Sequence, residues 1–146
     1  MSDPFMDEAI VEAERSAAEG GIPIGSVLVL DGRVVGRGHN QRVQLDSAVL
    51  HGEMDALENA GRLSAAEYAR SVIYTTLSPC AMCSGAILLY GIPKVVVAEN
   101  TTFLGEEDLL RGSGVEVTVL DDRRAVDLMS RFVAEHPDIW NEDIGV

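Results

Sequence analysis

Lysine is nearly missing from this chain. Its one lysine is Lys94, and Lys and Arg together number 11 against 24 Asp and Glu, a net charge of -13. Proteins that grip nucleic-acid backbones draw most of their affinity from Lys and Arg contacts to phosphate, so this surface repels a polyanion unless a local patch inverts its sign. The balance favours solubility and counts against tRNA or DNA as a substrate. Long apolar runs are missing too: none approaches the length of a membrane-spanning helix. The stretch from Met1 to Glu14 is acidic and lacks the basic-then-apolar order of a signal peptide. We expect a cytoplasmic protein with neither a nucleic-acid nor a membrane partner. Repeats, low-complexity tracts and Pro/Gly/Ser-rich linkers are absent, and 146 residues suit one compact domain over 1–146. Cysteine is limited to Cys80 and Cys83. A disulfide closing so short a loop removes little chain entropy, and in a reducing compartment such a pair is metal-binding or redox-active.

What is present is enough apolar surface for a packed core, at 47% hydrophobic residues, arranged with readable periods. Phe5, Ala9, Ala13 and Ala17 recur every four residues and predict a helix over Phe5–Glu19, stopped by Gly20 and Gly21. Ile24–Leu30 is a β-branched run, Asp31-Gly32 is a hairpin turn, and Arg33–Gly38 is the returning strand. His39–Leu50 reads as a loop and His51–Ala60 as a second helix. Ser71–Leu77 is a third strand. Ser78-Pro79 then signals the start of a helix over Cys80–Tyr90, apolar on nearly every side and so expected to be buried all round. Lys94–Ala98 and Val115–Leu120 are two further strands, with a short helix at Glu106–Arg111 between them. Asp122–Glu135 is a last helix, and the tail from Pro137 to Val146 holds the only tryptophan, Trp140. Helices alternating with strands after an opening hairpin predict an α/β fold, a three-layer α/β/α sandwich around a five-stranded mixed sheet. Its first two strands should be antiparallel and its later ones largely parallel.

Two short patterns carry chemistry: His51-Gly52-Glu53 and Pro79-Cys80-Ala81-Met82-Cys83. Two residues between the thiols let both sulfurs reach one metal across a helical turn, where free N–H groups and the helix dipole favour thiolate. If both helix starts meet at one sheet edge, His51, Cys80 and Cys83 converge. Three protein ligands leave a fourth tetrahedral position open, as in a catalytic zinc site. Glu53, two residues from His51, is well sited to take a proton from water there and return it to the substrate. Alone, the Cys pair also fits a redox centre, and His-x-Glu alone is an ordinary helix start. Together and in this order they form the described signature of the zinc deaminases. His39 is a conceivable fourth ligand, though it reads better as part of the loop Gly38-His39-Asn40.

With these residues in hand, the chain resembles the cytidine deaminase superfamily, and within it the fungal-type cytosine deaminases. The resemblance runs through Gly20-Gly21-Ile22-Pro23-Ile24-Gly25, Gly36-Arg37-Gly38-His39-Asn40, Leu50-His51-Gly52-Glu53, Leu57-Glu58-Asn59 and Gly61-Arg62-Leu63. It continues through Tyr74-Thr75-Thr76-Leu77-Ser78-Pro79-Cys80, Tyr90-Gly91-Ile92-Pro93 and Trp140-Asn141-Glu142-Asp143-Ile144-Gly145. It implies one zinc ion per chain, a homodimer, and hydrolysis of free cytosine to uracil and ammonia in pyrimidine salvage. It also implies roles. Asn40 matches the residue binding the pyrimidine edge, and Asp143 the acceptor for the exocyclic amine. Phe103 and Trp140 match pocket aromatics, and Ser78 a residue whose backbone faces the metal site. One position departs: Val43 stands where the family carries an aromatic against the substrate, which suggests a wider pocket. Cytosine leads as the expected base, with isocytosine, guanine or a nucleoside as the nearest rivals. A tRNA adenosine deaminase shares the motif pair but is disfavoured by acidity. A non-catalytic zinc module is disfavoured by Glu53, for which it has no use.

Overall fold

The computed structural model describes residues 2–146; Met1, counted above in the acidic N-terminal stretch, lies outside them. The elements in order are α1 (Pro4–Ala18), β1 (Gly25–Leu30), β2 (Arg33–His39), α2 (Gly52–Ala60), α3 (Ala65–Tyr68), β3 (Ser71–Leu77), α4 (Ala81–Tyr90), β4 (Lys94–Glu99), α5 (Glu107–Gly112), β5 (Glu116–Val119), α6 (Arg123–Glu135) and α7 (Pro137–Asp143). The strands form one sheet in the order β2-β1-β3-β4-β5. β1 runs antiparallel to β2 and β3, whereas β3, β4 and β5 are parallel. Asp31 (φ 51°) and Gly32 (φ 77°) both occupy the left-handed region that a tight hairpin turn needs. Side-chain alternation then sorts the sheet into two packed faces. Val27, Val29, Tyr74, Val96 and Ala98 meet Met6, Ala9 and Ile10 of α1 and Ala125 of α6. Leu28, Ile73, Val95 and Val97 meet Leu57 of α2, Tyr68 of α3, Ala86 and Ile87 of α4 and Leu110 of α5. This is the expected three-layer sandwich.

Close approach fixes α2 over the hairpin. A Cβ on Gly38 would collide with Ala56 N and the Asp55 backbone, so α2 lies directly against β2. That contact sets where His51 and Glu53, at the start of α2, point.

Three details depart from the periodicity. α3 forms because Ser64 and Glu67 make a reciprocal capping box, with Ser64 N donating to Glu67 Oε1 at 2.9 Å and Glu67 N to Ser64 Oγ at 3.2 Å. The tail, for which the pattern predicts no element, folds as α7 with Pro137 in its first turn, where the missing N–H costs nothing. And α4 is not buried all round: Leu89 is 75% exposed and Tyr90 43%. The inner side of α4 covers the sheet; on its C-terminal outer side Tyr90 stacks on Tyr68 of α3, while Leu89 stays exposed.

Candidate active site

The site lies beyond the carboxyl end of β3, where open α/β sheets place their ligands. His51 is the N-cap of α2 and Cys80 the N-cap of α4, both with extended backbone, and neither side chain caps its own helix. Both are therefore turned outward, towards each other, with Cys83 one helical turn further on. Donor atoms of His51, Cys80 and Cys83 all lie within 4.8 Å of one another, and Cys80 Sγ stands 3.4 Å from His51 Nδ1. Tetrahedral zinc with bonds of about 2.3 Å to sulfur and about 2.0–2.1 Å to nitrogen spaces its ligand atoms about 3.5–3.8 Å apart. The donor set and its spacing fit zinc. The other ring nitrogen, Nε2, lies 3.3 Å from Asp143 Oδ1, and a metal-ligating histidine commonly gives its second N–H to a carboxylate in this way.

Protonation within the cluster is strongly perturbed. A hydrogen bond from Cys83 and the neighbouring His51 outweigh burial and bring Cys80 down to about 4. Cys83 is pushed well above the usual thiol range by its bond to Cys80 and by burial. Burial works to lower His51, but hydrogen bonds to Asp143 and Cys80 raise it to about 10. The protons on Cys83 and His51 are the ones a divalent cation displaces on binding. Glu53 is buried, and burial with the nearby Cys80 charge raises its carboxyl to about 7.

Glu53, His51, Cys80, Ser78, Phe103, Trp140 and Asp143 line one cavity with Ile24, Leu77 and Ile144. Its free volume is about 20 Å³, little more than a single water needs. Trp140, Asp143 and Ile144 belong to α7 and its end, so this helix forms one wall of the cavity. Phe103 meets Trp140 edge to face, centroids 6.1 Å apart at 86°. An outer groove of about 450 Å³ shares His51, Cys80, Phe103, Asp143 and Ile144 and is bordered by Ala48, Met82, Glu106 and Gly145. The loop bearing Phe103 is pinned from behind. Ser78 Oγ donates to Glu107 Oε2 at 2.6 Å and accepts from Gly105 N at 2.9 Å. Glu99 Oε2 accepts from Thr101 N at 2.7 Å and Thr102 N at 2.9 Å. A Cβ on Gly105 would strike the Pro79 carbonyl.

The remaining candidates sit differently. Asn40 is buried behind Asp143 and donates from Nδ2 to Asp143 Oδ2 at 3.1 Å. Val43 is 42% exposed, outside the lining. His39 is held away from the ligand cluster between Glu12 Oε1 at 3.0 Å and Glu19 Oε1 at 2.7 Å. Sequence reasoning missed Ile24, Leu77 and Ile144 in the lining, Glu107 behind it, and Arg42, whose Nε donates to Asp143 Oδ1 at 2.7 Å.

Residues 2–99 match the family model of the cytidine and deoxycytidylate deaminase zinc-binding region. The chain belongs to this family. It is 58% identical to a cytosine deaminase of Candida albicans over 138 residues, which is 94% of this chain and 92% of the relative. It is 43% identical to a tRNA-specific adenosine deaminase of Streptococcus pyogenes over 107 residues, 72% of this chain and 67% of that one. Among solved structures, a guanine deaminase from Nitrosomonas europaea superposes with a TM-score of 0.72 at 20% identity, covering 92% of this chain and 86% of its own, a likeness of fold alone. As a member of this zinc-binding deaminase family, the chain is a hydrolase of carbon–nitrogen bonds, and His51, Cys80 and Cys83 are positioned as a possible zinc site.

Proposed function

We propose that this protein hydrolyses free cytosine to uracil and ammonia. The observation that carries the reading is 58% identity to a cytosine deaminase across nearly the whole of both chains, joined to the convergence of His51, Cys80 and Cys83 beside the buried Glu53. His51 Nδ1, Cys80 Sγ and Cys83 Sγ would hold the zinc, which when bound supplies the Lewis acidity that makes water a nucleophile near neutral pH. The chain's own residues do the rest. Glu53 takes the proton of the attacking water and passes it on to the departing amine, so that the exocyclic nitrogen leaves as ammonia. Asp143 accepts a hydrogen bond from that amine, and Asn40 supports Asp143 from behind. Phe103 and Trp140 flank the flat ring and exclude water.

We read residues 1–146 as one deaminase unit that works as a homodimer in the cytoplasm, in salvage of pyrimidines. The exposed end of α4, with Leu89 and Tyr90 beside a groove of about 540 Å³ that also includes Met54 and Leu57 of α2 and Tyr68 of α3, is a suitable face for a second copy. Among the described residues no helix is long and apolar enough to cross a membrane. The net charge of -13 weighs against the polyanionic substrate named for the Streptococcus pyogenes relative. The test is metal content together with ammonia release from a panel of cytosine, isocytosine, guanine, cytidine and adenosine. Zinc at about one per chain with cytosine preferred supports the reading, and activity without bound metal or a preferred nucleoside contradicts it.

A further inference from the structure

Arg42 belongs to none of the motifs, yet it governs two of the polar groups around the site. Its side chain is only 15% exposed. Nε donates to Asp143 Oδ1 at 2.7 Å, Nη1 to Glu142 Oε1 at 2.7 Å and Nη2 to the Ala48 carbonyl at 3.4 Å. Its backbone N donates to Asn40 Oδ1 at 2.9 Å, which turns the other end of that amide, Nδ2, onto Asp143 Oδ2. The Asp143 side chain is 2% exposed and also faces His51 Nε2. A carboxylate offers about four lone-pair sites. Arg42, Asn40 and His51 occupy three of them and leave one. α7 itself has seven residues, too few to hold a helix unaided. Its apolar side is anchored through Trp140 and Ile139, and its polar end through Arg42.

We propose that Arg42 is a positioning residue for the deamination: its guanidinium fastens α7 over the cavity and aims the one remaining lone pair of Asp143 at the exocyclic amine of the base, while its backbone fixes the orientation of Asn40. The proposal rests on Asp143 being the amine acceptor. A planar fork reaching two carboxylates and a carbonyl at once is a task that lysine, a point charge on a flexible stem, does not reproduce.

The chain's one tryptophan is Trp140 on α7, so its fluorescence reads α7 docking without background. In full-length, zinc-loaded protein, Arg42→Ala should lower kcat/KM for cytosine at least tenfold with zinc content unchanged and should raise acrylamide quenching of Trp140. Arg42→Lys should fall between Arg42→Ala and wild type in both readouts, and it decides the matter if Arg42→Ala does not fold. A purely structural residue would lower the melting temperature while leaving Trp140 quenching and kcat/KM unchanged well below that temperature. That result overturns the proposal, as does kcat/KM within twofold of wild type in the variants that fold. If wild-type protein does not turn over cytosine, the assignment of substrate falls instead. The fastening of α7 then stands or falls on the quenching comparison alone.

Discussion

At Glu53, burial and the Cys80 charge keep a carboxyl near neutrality while the start of α2 holds it against the metal ligands. Both properties suit a group that must accept a proton and then release it in one turnover. Glu53→Ala should therefore keep the fold and the zinc and lose about 10²–10⁴-fold or more in kcat, measured as steady-state uracil formation beside metal analysis of the same sample. Turnover within a few-fold of wild type would move the proton shuttle to another residue. His51, Glu53, Cys80 and Cys83 were legible in the sequence because helix geometry ties each pair together over two or three positions. Arg42 was not. Its partners Glu142 and Asp143 lie 100 and 101 residues away, and no local period encodes a contact made only by the closed fold.

Among the elements, the junction of α1 with β2 rests on a buried polar contact. His39 at the end of β2 stands between Glu12 and Glu19 from α1 and its C-cap, with Gln41 Nε2 3.4 Å from its ring and Gln44 donating to Glu19 at 3.2 Å. Burial lowers the His39 pKa, but the two carboxylates outweigh it and leave it above the ordinary value of 6.5. A group bound more tightly to its proton in the folded state adds stability that is complete below about 6.5 and fades as pH rises through the higher folded value. Glu19, held below its usual value chiefly by the His39 bond, contributes stability that is lost only as pH falls below about 4.5, so it is constant from pH 6 to 9 and does not offset the trend. The melting-temperature advantage of wild type over His39→Gln should be largest near pH 6 and shrink towards pH 9. An advantage that stays constant across this range would contradict the account. The hairpin, the parallel strands and the long helices were legible because their periods run for several residues. α7 was not, since seven residues with Pro137 at the start show no repeat, and α3 was marked only by the Ser64–Glu67 spacing. The expectation of an all-round buried α4 failed for another reason. Apolar composition says that a surface is covered, not that the same chain covers it, and Leu89 is exposed within the single chain.

For the molecule as a whole, acidity and the exposed end of α4 set different preferences. The charge of -13 disfavours polyanions, and the exposed Leu89 lies on the face proposed above for a second copy of the chain. If that proposed face joins two copies, wild type sediments as a dimer and Leu89→Asp as a monomer in sedimentation velocity; a dimeric Leu89→Asp would put the contact elsewhere, and a monomeric wild type would contradict the homodimer proposal. The central claim is that a pocket walled by α7 turns over a base stripped of its sugar. Its most direct test is kcat/KM for cytosine against cytidine in the zinc-loaded protein. The account predicts that cytosine is strongly preferred, and cytidine turned over faster than cytosine would contradict it.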